Sequence, residues 1–169
     1  MDLIWFIYLA AALAAIVIHL RLDQTPRTGL RMVQVALFYF LVIFAGCGGL
    51  MGAVAHTFFA RKIALGIGWH PGSPFQFEVA MANLAFGVLG IMCIWNRGGF
   101  RTATGVGLAV FLLGCAYGHV KEMLAGDYAP YNAGPGIWLM DVVIPLTLLG
   151  LLFIRRRLRQ AEAIDELFS

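Results

Sequence analysis

The chain has 169 residues, of which 61% are hydrophobic and 12% are charged, and its formal net charge is +3. Soluble domains are closer to about half apolar and about a quarter charged, so this composition excludes an ordinary soluble fold and favours lipid as the solvent. The one basic cluster, at residues 155–159, ends an apolar run, which is typical of a stop-transfer anchor rather than of a nucleic-acid-binding surface. The three cysteines all lie inside apolar runs, unlike the framework of a secreted disulfide protein.

Five apolar segments approach the ~20 residues that a membrane-spanning helix needs. In chain order they are Leu3–Leu20, Val33–Phe58, Phe75–Trp95, Thr102–Lys121 and Ile137–Ile154. Glycine and proline interrupt most of the connections, which are therefore predicted loops. We expect an all-α bundle of five transmembrane helices over residues 1–154, followed by a basic-then-acidic cytoplasmic tail at residues 155–169. The first span is expected to be retained rather than cleaved. Ala60–Gly68 is too short to span and is expected to lie along the membrane interface.

The basic residues predict the orientation of the chain. Most of the 12 arginines and lysines flank the first and third connections or follow the fifth span. These positions all lie on one side of the membrane if the spans alternate in direction. The positive-inside rule then places the C-terminus in the cytoplasm and the N-terminus outside.

Four ionisable residues occupy similar depths in four different spans, near the predicted outer surface. They are His56, Glu78, His119 and Asp141. Ionisable groups within a span cost at least about 2.5 kcal/mol at its centre, so they usually face protein or water and mark function. Small residues recur at helical spacing on two of the spans and predict close helix packing there. These two faces consist of Ala45, Gly49, Gly52 and His56 in the second span and Ala80, Asn83, Gly87 and Gly90 in the third.

Two imidazoles and two carboxylates are a donor set that suits a divalent transition metal such as copper, zinc or iron. We therefore expect His56, Glu78, His119 and Asp141 to be metal ligands. Other residues are expected at the edge of this site. Asn83, His70, Cys115 and Glu122 are expected to contact the ligands or to lie at the periphery of the site, and Trp69, Tyr128, Tyr131 and Asn132 are candidates for a covering loop.

Other functions fit the same residues. Glu78 and Asp141 could titrate in a proton-coupled carrier of a small solute, with His119 as the relay. His56 and His119 could instead ligate haem b across the bundle. A further possibility is an accessory subunit or scaffold, with Gly114 and Gly118 at a homo-oligomeric interface or against a larger membrane complex. A purely structural hydrogen-bond network also remains open, and the residues define no reaction, so enzymatic activity is undecided.

Several motifs together resemble an uncharacterised family of small polytopic bacterial membrane proteins. They are Gly68-Trp69, Ser73-Pro-Phe-Gln-Phe-Glu-Val79, Gly118-His119, and Asn132-Ala-Gly134 followed by Asp141 and Pro145, within about residues 45–153. The resemblance implies a multi-pass protein of the bacterial inner membrane and no activity, because the family is known by a domain-of-unknown-function label. Where we expect Pro-Gly-Asn-Ala-Gly, this chain has Pro130-Tyr-Asn-Ala-Gly134. The layout is also loosely similar to that of DoxX-like membrane proteins, some of which are redox-associated.

Overall fold

A computed structural model describes residues 2–168, and every regular element in that range is helical. The helices are α1 (Asp2–Leu22), α2 (Gly29–Phe58), α3 (Ala60–Gly66), α4 (Phe75–Met92), α5 (Gly99–Leu124), α6 (Pro130–Ala133), α7 (Pro135–Trp138) and α8 (Ile144–Phe168). Two stretches are π-helical. One, Leu41–Gly48, lies within α2, and the other, Leu139–Val143, joins α7 to α8.

Five stretches are long and apolar enough to cross a membrane, which confirms the predicted all-α architecture with five spans. They are Leu3–Leu22, Gly29–Phe58, Phe75–Met92, Gly99–Leu124 and Pro130–Leu167. The short segment after the second span is also helical, as α3. The residues that we expected to form a tail continue α8 as far as Phe168, so no break in the helix separates them from the last span.

The closest helix crossing joins α2 to α4 through glycines on both helices. A Cβ atom added at Gly49 would lie 2.6 Å from the backbone oxygen of Asn83, and one added at Gly90 would overlap the backbone of Gly46. Glycine is required at these positions because the two backbones are in direct contact. The two small-residue faces recognised in the sequence therefore pack against each other.

The apolar core lies where α2, α5 and α8 meet. Phe44, Leu41 and Leu148 are among its fully buried side chains. Helix α1 lies at the periphery of the bundle. In its most apolar stretch of 18 residues, only 6% of the residues are buried. It packs on the core through one side, which includes Trp5 and the fully buried Ala12.

Proline explains the π-helical turns that lead into α8. Pro145 has no backbone N–H, and its ring crowds the carbonyl group of the residue four positions earlier, which is Asp141. The helix widens just before the proline, and the amide of Ile144 bonds to the carbonyl of Leu139, five residues back. This wider turn changes the direction in which Asp141 points relative to a regular α-helix.

One end of the bundle, which we call the arginine end, is tied together by buried or half-buried arginines. Arg155 is only 8% exposed, and it donates to the Thr102 hydroxyl and to the carbonyl of Gly98. Arg101 donates to the carbonyl of Cys93 over 2.7 Å through its terminal nitrogen and over 3.0 Å through Nε. These bonds link α4, α5 and α8.

The connection between α1 and α2 lies at the same end and carries a charged pair. Both the Nε and the terminal nitrogen of Arg31 donate to Asp23, over 2.8 and 2.6 Å. The backbone amide of Thr25 and the Arg31 side chain hydrogen-bond this carboxylate and lower the pKa of Asp23 from 3.8 to about 2. His19 joins the group through hydrogen-bond contacts with Tyr39 and Arg31.

Candidate functional site

At the opposite end, which we call the histidine end, two of the four predicted ligands meet. His119 Nε2 on α5 lies 3.5 Å from Asp141 Oδ2 in the π-helical turn. The other ring nitrogen, Nδ1, lies 2.8 Å from Asn132 Oδ1 on α6. Asp141 and Asn132 are both buried, at 8% and 4% exposure. The imidazole is therefore fixed between an amide and a carboxylate.

The loop before α6 holds Asn132 in place. Asp127 accepts hydrogen bonds at Oδ1 from the amide of Ala129, over 3.0 Å, and at Oδ2 from the Tyr131 hydroxyl, over 3.1 Å. The Asn132 amide nitrogen donates to the carbonyl of Asp127 over 3.4 Å. That bond identifies which side of the Asn132 amide is nitrogen, so its oxygen faces His119 and accepts the Nδ1 proton. Nε2 is then the nitrogen that faces Asp141.

His56 lies near the last turn of α2 and does not join this pair. Its Nδ1 atom is buried and has no hydrogen-bond partner among the described residues. Its ring packs near Trp69, with 6.2 Å between the ring centroids. An unpaired polar atom in an apolar interior is uncommon and costly, so its surroundings bear on function.

A cavity of about 740 Å³ lies beside His56 and is partly open to the outside of the bundle. Its walls come from α1, α2, α3, α4, α5 and the segment around α6 and α7, and most of its lining is aliphatic or aromatic. Asn83 and Tyr131 contribute further polar atoms to the wall. This volume is typical of pockets that hold drug-sized molecules.

Four of the other candidates are exposed on the surface of the protein. Glu78 is exposed in the first turn of α4. There a carboxylate interacts favourably with the helix dipole, which gives a structural reason for an acidic residue at the start of an apolar run. Three other candidates, His70, Glu122 and Tyr128, are also exposed. No group of three or more histidine, cysteine or acidic side chains suited to a metal occurs among residues 2–168.

The other peripheral candidates pack around the cavity or near the pair. Asn83 lies against Gly52, where an added Cβ would be 2.8 Å from Asn83 Oδ1, and its nitrogen donates to the carbonyl of Val79. Cys115 is half-buried one helical turn before His119. Tyr131 packs over Gly68, whose positive φ of 75° is a conformation that favours glycine.

Neither the cavity nor the part that α1 plays in it was predicted from the sequence. Trp5 near the start of α1 lines the cavity together with its neighbours Leu3, Ile4 and Ile7. A tryptophan near the end of a span is normally an interfacial anchor, so its position alone gave no signal. Gln76 was also missed. It is buried and donates to the carbonyl of Ala60, which ties the start of α4 to α3.

Comparisons with known proteins identify one matching family. Neither the curated proteins nor the solved structures contain a match to this chain. A family model matches residues 2–161 and is described as a family of unknown function, DUF6790. The match confirms the resemblance to an uncharacterised family and extends it beyond the segment that carries the motifs, over nearly the whole chain. The protein therefore belongs to the DUF6790 family of unknown function.

Proposed function

We propose that the protein is a proton-coupled membrane carrier in which the His119–Asp141 pair accepts and releases the proton. The observation that supports this proposal most directly is the 3.5 Å separation between His119 Nε2 and Asp141 Oδ2 inside a transmembrane bundle. Ionisable residues that pair within a membrane are the usual components of proton pathways.

The contact with Asn132 prepares His119 for this role. The Nδ1 proton is donated to the Asn132 oxygen 2.8 Å away, so the exchangeable proton lies between Nε2 and the Asp141 carboxylate. The pair can hold this proton as a neutral imidazole beside a carboxylic acid or as an imidazolium beside a carboxylate. Small movements that open or close the contact would favour one of these states over the other.

The proposal includes a location in the bacterial inner membrane, with the histidine end facing outward. The basic residues support this orientation, because the arginine end carries Arg97, Arg101 and the cluster from Arg155 to Arg159. The proton would then enter from the external side. Glu78, which we had considered as a second titrating group, is exposed at the start of α4 and is not needed for this mechanism.

A metal ion at His119 and Asp141 is the second candidate. Two ligand atoms that each lie about 2.0–2.1 Å from a tetrahedral zinc ion are about 3.4 Å apart. This separation is close to the 3.5 Å between His119 Nε2 and Asp141 Oδ2. Asn132 would orient the ligating ring, as carboxylate and carbonyl groups do in known metal sites. Only two of the four predicted ligands are together, however, so copper, zinc or iron would need further ligands from solvent or substrate.

Haem ligation and a scaffolding role have less support. Haem b would need His119 to release Asp141, since both of its ring nitrogens already face polar groups. An accessory or homo-oligomeric role would use the exposed face of α5, where Gly114 and Gly118 have open space around them.

Infrared spectroscopy of the purified protein, combined with proton uptake into proteoliposomes, tests the proposal. A pH titration should show a carboxylic acid band that disappears in Asp141→Asn, and proton uptake should disappear with it. Glu78→Gln is the matched control, because it removes an exposed carboxylate at the same end of the bundle and should leave both the band assigned to Asp141 and the proton uptake unchanged. The proposal would be overturned if the titrations of Asp141→Asn and of the unaltered protein showed no difference band.

The same preparation distinguishes the proton-carrier proposal from the metal-site and haem alternatives. It should be purified without chelators and measured for metal content and visible absorption. Near-stoichiometric metal that is lost in His119→Ala would support the second candidate instead. A Soret band would support haem.

A further inference from the structure

We infer that the cavity beside His56 binds an uncharged lipid that carries a hydroxyl group. This site lies apart from the His119–Asp141 pair and does not depend on the proton chemistry proposed for that pair. It involves His56, which the sequence analysis had assigned to a metal.

The cavity walls indicate a ligand with an apolar body. Its volume of about 740 Å³ lies in the range of sites that enclose most of a small molecule, and among the side chains that the structure describes, no aspartate, glutamate, lysine or arginine contributes to its lining. A charged ligand would lose its hydration there without gaining a counter-charge, which is strongly unfavourable. The occupant should therefore be neutral.

His56 indicates one polar group at a defined position on that ligand. Its Nδ1 atom is buried and unpaired among the described residues, and His56 is one of the residues that line the cavity. A ligand would pair with this nitrogen once the imidazole turned it toward the cavity. A single water molecule satisfies such an atom poorly, because a buried water needs two to four polar partners and most of this lining is apolar. A hydroxyl group attached to an apolar body needs fewer partners and brings its own contacts with the walls. It can also donate or accept, so it pairs with either tautomer of the imidazole.

Helix α1 gives this ligand a route from the bilayer. Leu3, Ile4 and Ile7 form one wall of the cavity, while Leu3 and Ile7 are also 72% and 51% exposed on the outer surface of the bundle. Little of α1 is buried against the rest of the protein. A lipid can therefore reach the cavity beside a loosely packed helix without crossing water.

The test uses the full chain in lipid nanodiscs with a long-chain alcohol that carries a photoactivatable diazirine. The comparison probe is the matching alkane, which has the same diazirine and no hydroxyl group. We expect the alcohol to label cavity residues, identified by peptide mapping at Met51, Ile63 or Met140. Labelling by the alkane should be about threefold to tenfold weaker, because the alkane cannot form the one neutral hydrogen bond that the alcohol makes with His56.

Three variants sharpen the result. His56→Phe keeps a ring but removes Nδ1, so labelling by the alcohol should fall to the level of the alkane. Ala55→Phe narrows the cavity without removing a polar group, so labelling by both probes should fall. His70→Phe is the matched control, because His70 lies in an exposed loop, and labelling should not change.

Several outcomes would overturn the inference. Equal labelling by the alcohol and the alkane would show that His56 selects no hydroxyl group. The same would follow if the preference for the alcohol survived in folded His56→Phe. Competition by phosphatidylglycerol or a fatty acid as effective as competition by unlabelled alcohol would identify an ordinary bilayer lipid as the occupant. Labelling that persists in Ala55→Phe would place the probe outside the cavity.

Discussion

The arginine end and the histidine end of the bundle differ in how completely their buried polar groups are hydrogen-bonded. At the arginine end, Arg155 is almost completely buried and donates to the Thr102 hydroxyl and to a backbone carbonyl. At the histidine end, His56 has a buried nitrogen that lacks a partner among the described residues, and His119 is 3.5 Å from Asp141. Satisfied polar groups hold helices together, whereas unsatisfied ones are available to a proton or a ligand. One end therefore maintains the fold, and we propose that the other carries the function.

The largest expected effect comes from the α2–α4 crossing, on which both ends depend. Gly90→Val should prevent folding or lower the free energy of unfolding by more than about 3 kcal/mol, because any Cβ atom there overlaps the backbone of Gly46. Gel filtration and thermal melting in detergent measure this. Gly114→Ala is the control, since an added Cβ meets nothing within 4 Å there, and its stability should stay the same or rise slightly. Normal folding of Gly90→Val would show that the helices can separate at no cost.

At the arginine end, Arg155→Leu should lower the free energy of unfolding by about 2 kcal/mol. The substitution removes the buried donor that joins α8 to Thr102 and to the carbonyl of Gly98. Arg156→Leu, at the neighbouring exposed position, should change stability by less than about 0.5 kcal/mol. Denaturation of the two variants in the same detergent gives the comparison. Equal losses of stability in the two variants would mean that the buried hydrogen bonds of Arg155 do not stabilise the fold.

At the histidine end, Asn132→Leu should cost about 1 kcal/mol in stability, because it removes one hydrogen bond to His119 and one to the carbonyl of Asp127. Its effect on proton uptake should be larger than its effect on stability, since the ring is no longer oriented toward Asp141. Nitrogen NMR of labelled histidine should show loss of the fixed tautomer. A variant that keeps both the tautomer and the proton uptake would contradict the role given to Asn132.

The smallest expected effect concerns the half-buried pair of Asp23 and Arg31. The pKa of Asp23 is lowered in the folded protein, so the stabilisation is complete above the usual value of 3.8 and is lost as pH falls through about 2. Thermal melting over this acid range should decline less steeply in Asp23→Asn than in the unaltered protein. Gln24→Ala, at an adjacent exposed position, is the control. Identical pH profiles would show that the pair does not contribute to stability.

The candidate site was only partly predictable from the sequence. His119 and Asp141 were both recognised as ionisable residues at similar depth within their spans, and Asn132 as part of a covering loop, and the structure brings these three together. Glu78 had the same depth, but it lies on the exposed side of α4. Depth along a helix follows from counting residues, whereas the face that a residue occupies depends on what the helix packs against.

The five spans and the glycine faces of α2 and α4 were predictable from the sequence alone. These features depend on local hydrophobicity, length and side-chain size, which can be read along one segment at a time. The contact between His119 and Asp141 and the cavity beside His56 were not predictable in this way. The first depends on the π-helical turn before Pro145, and the second on walls from six parts of the chain. Both result from contacts between segments that are distant in the sequence, and no single segment contains that information.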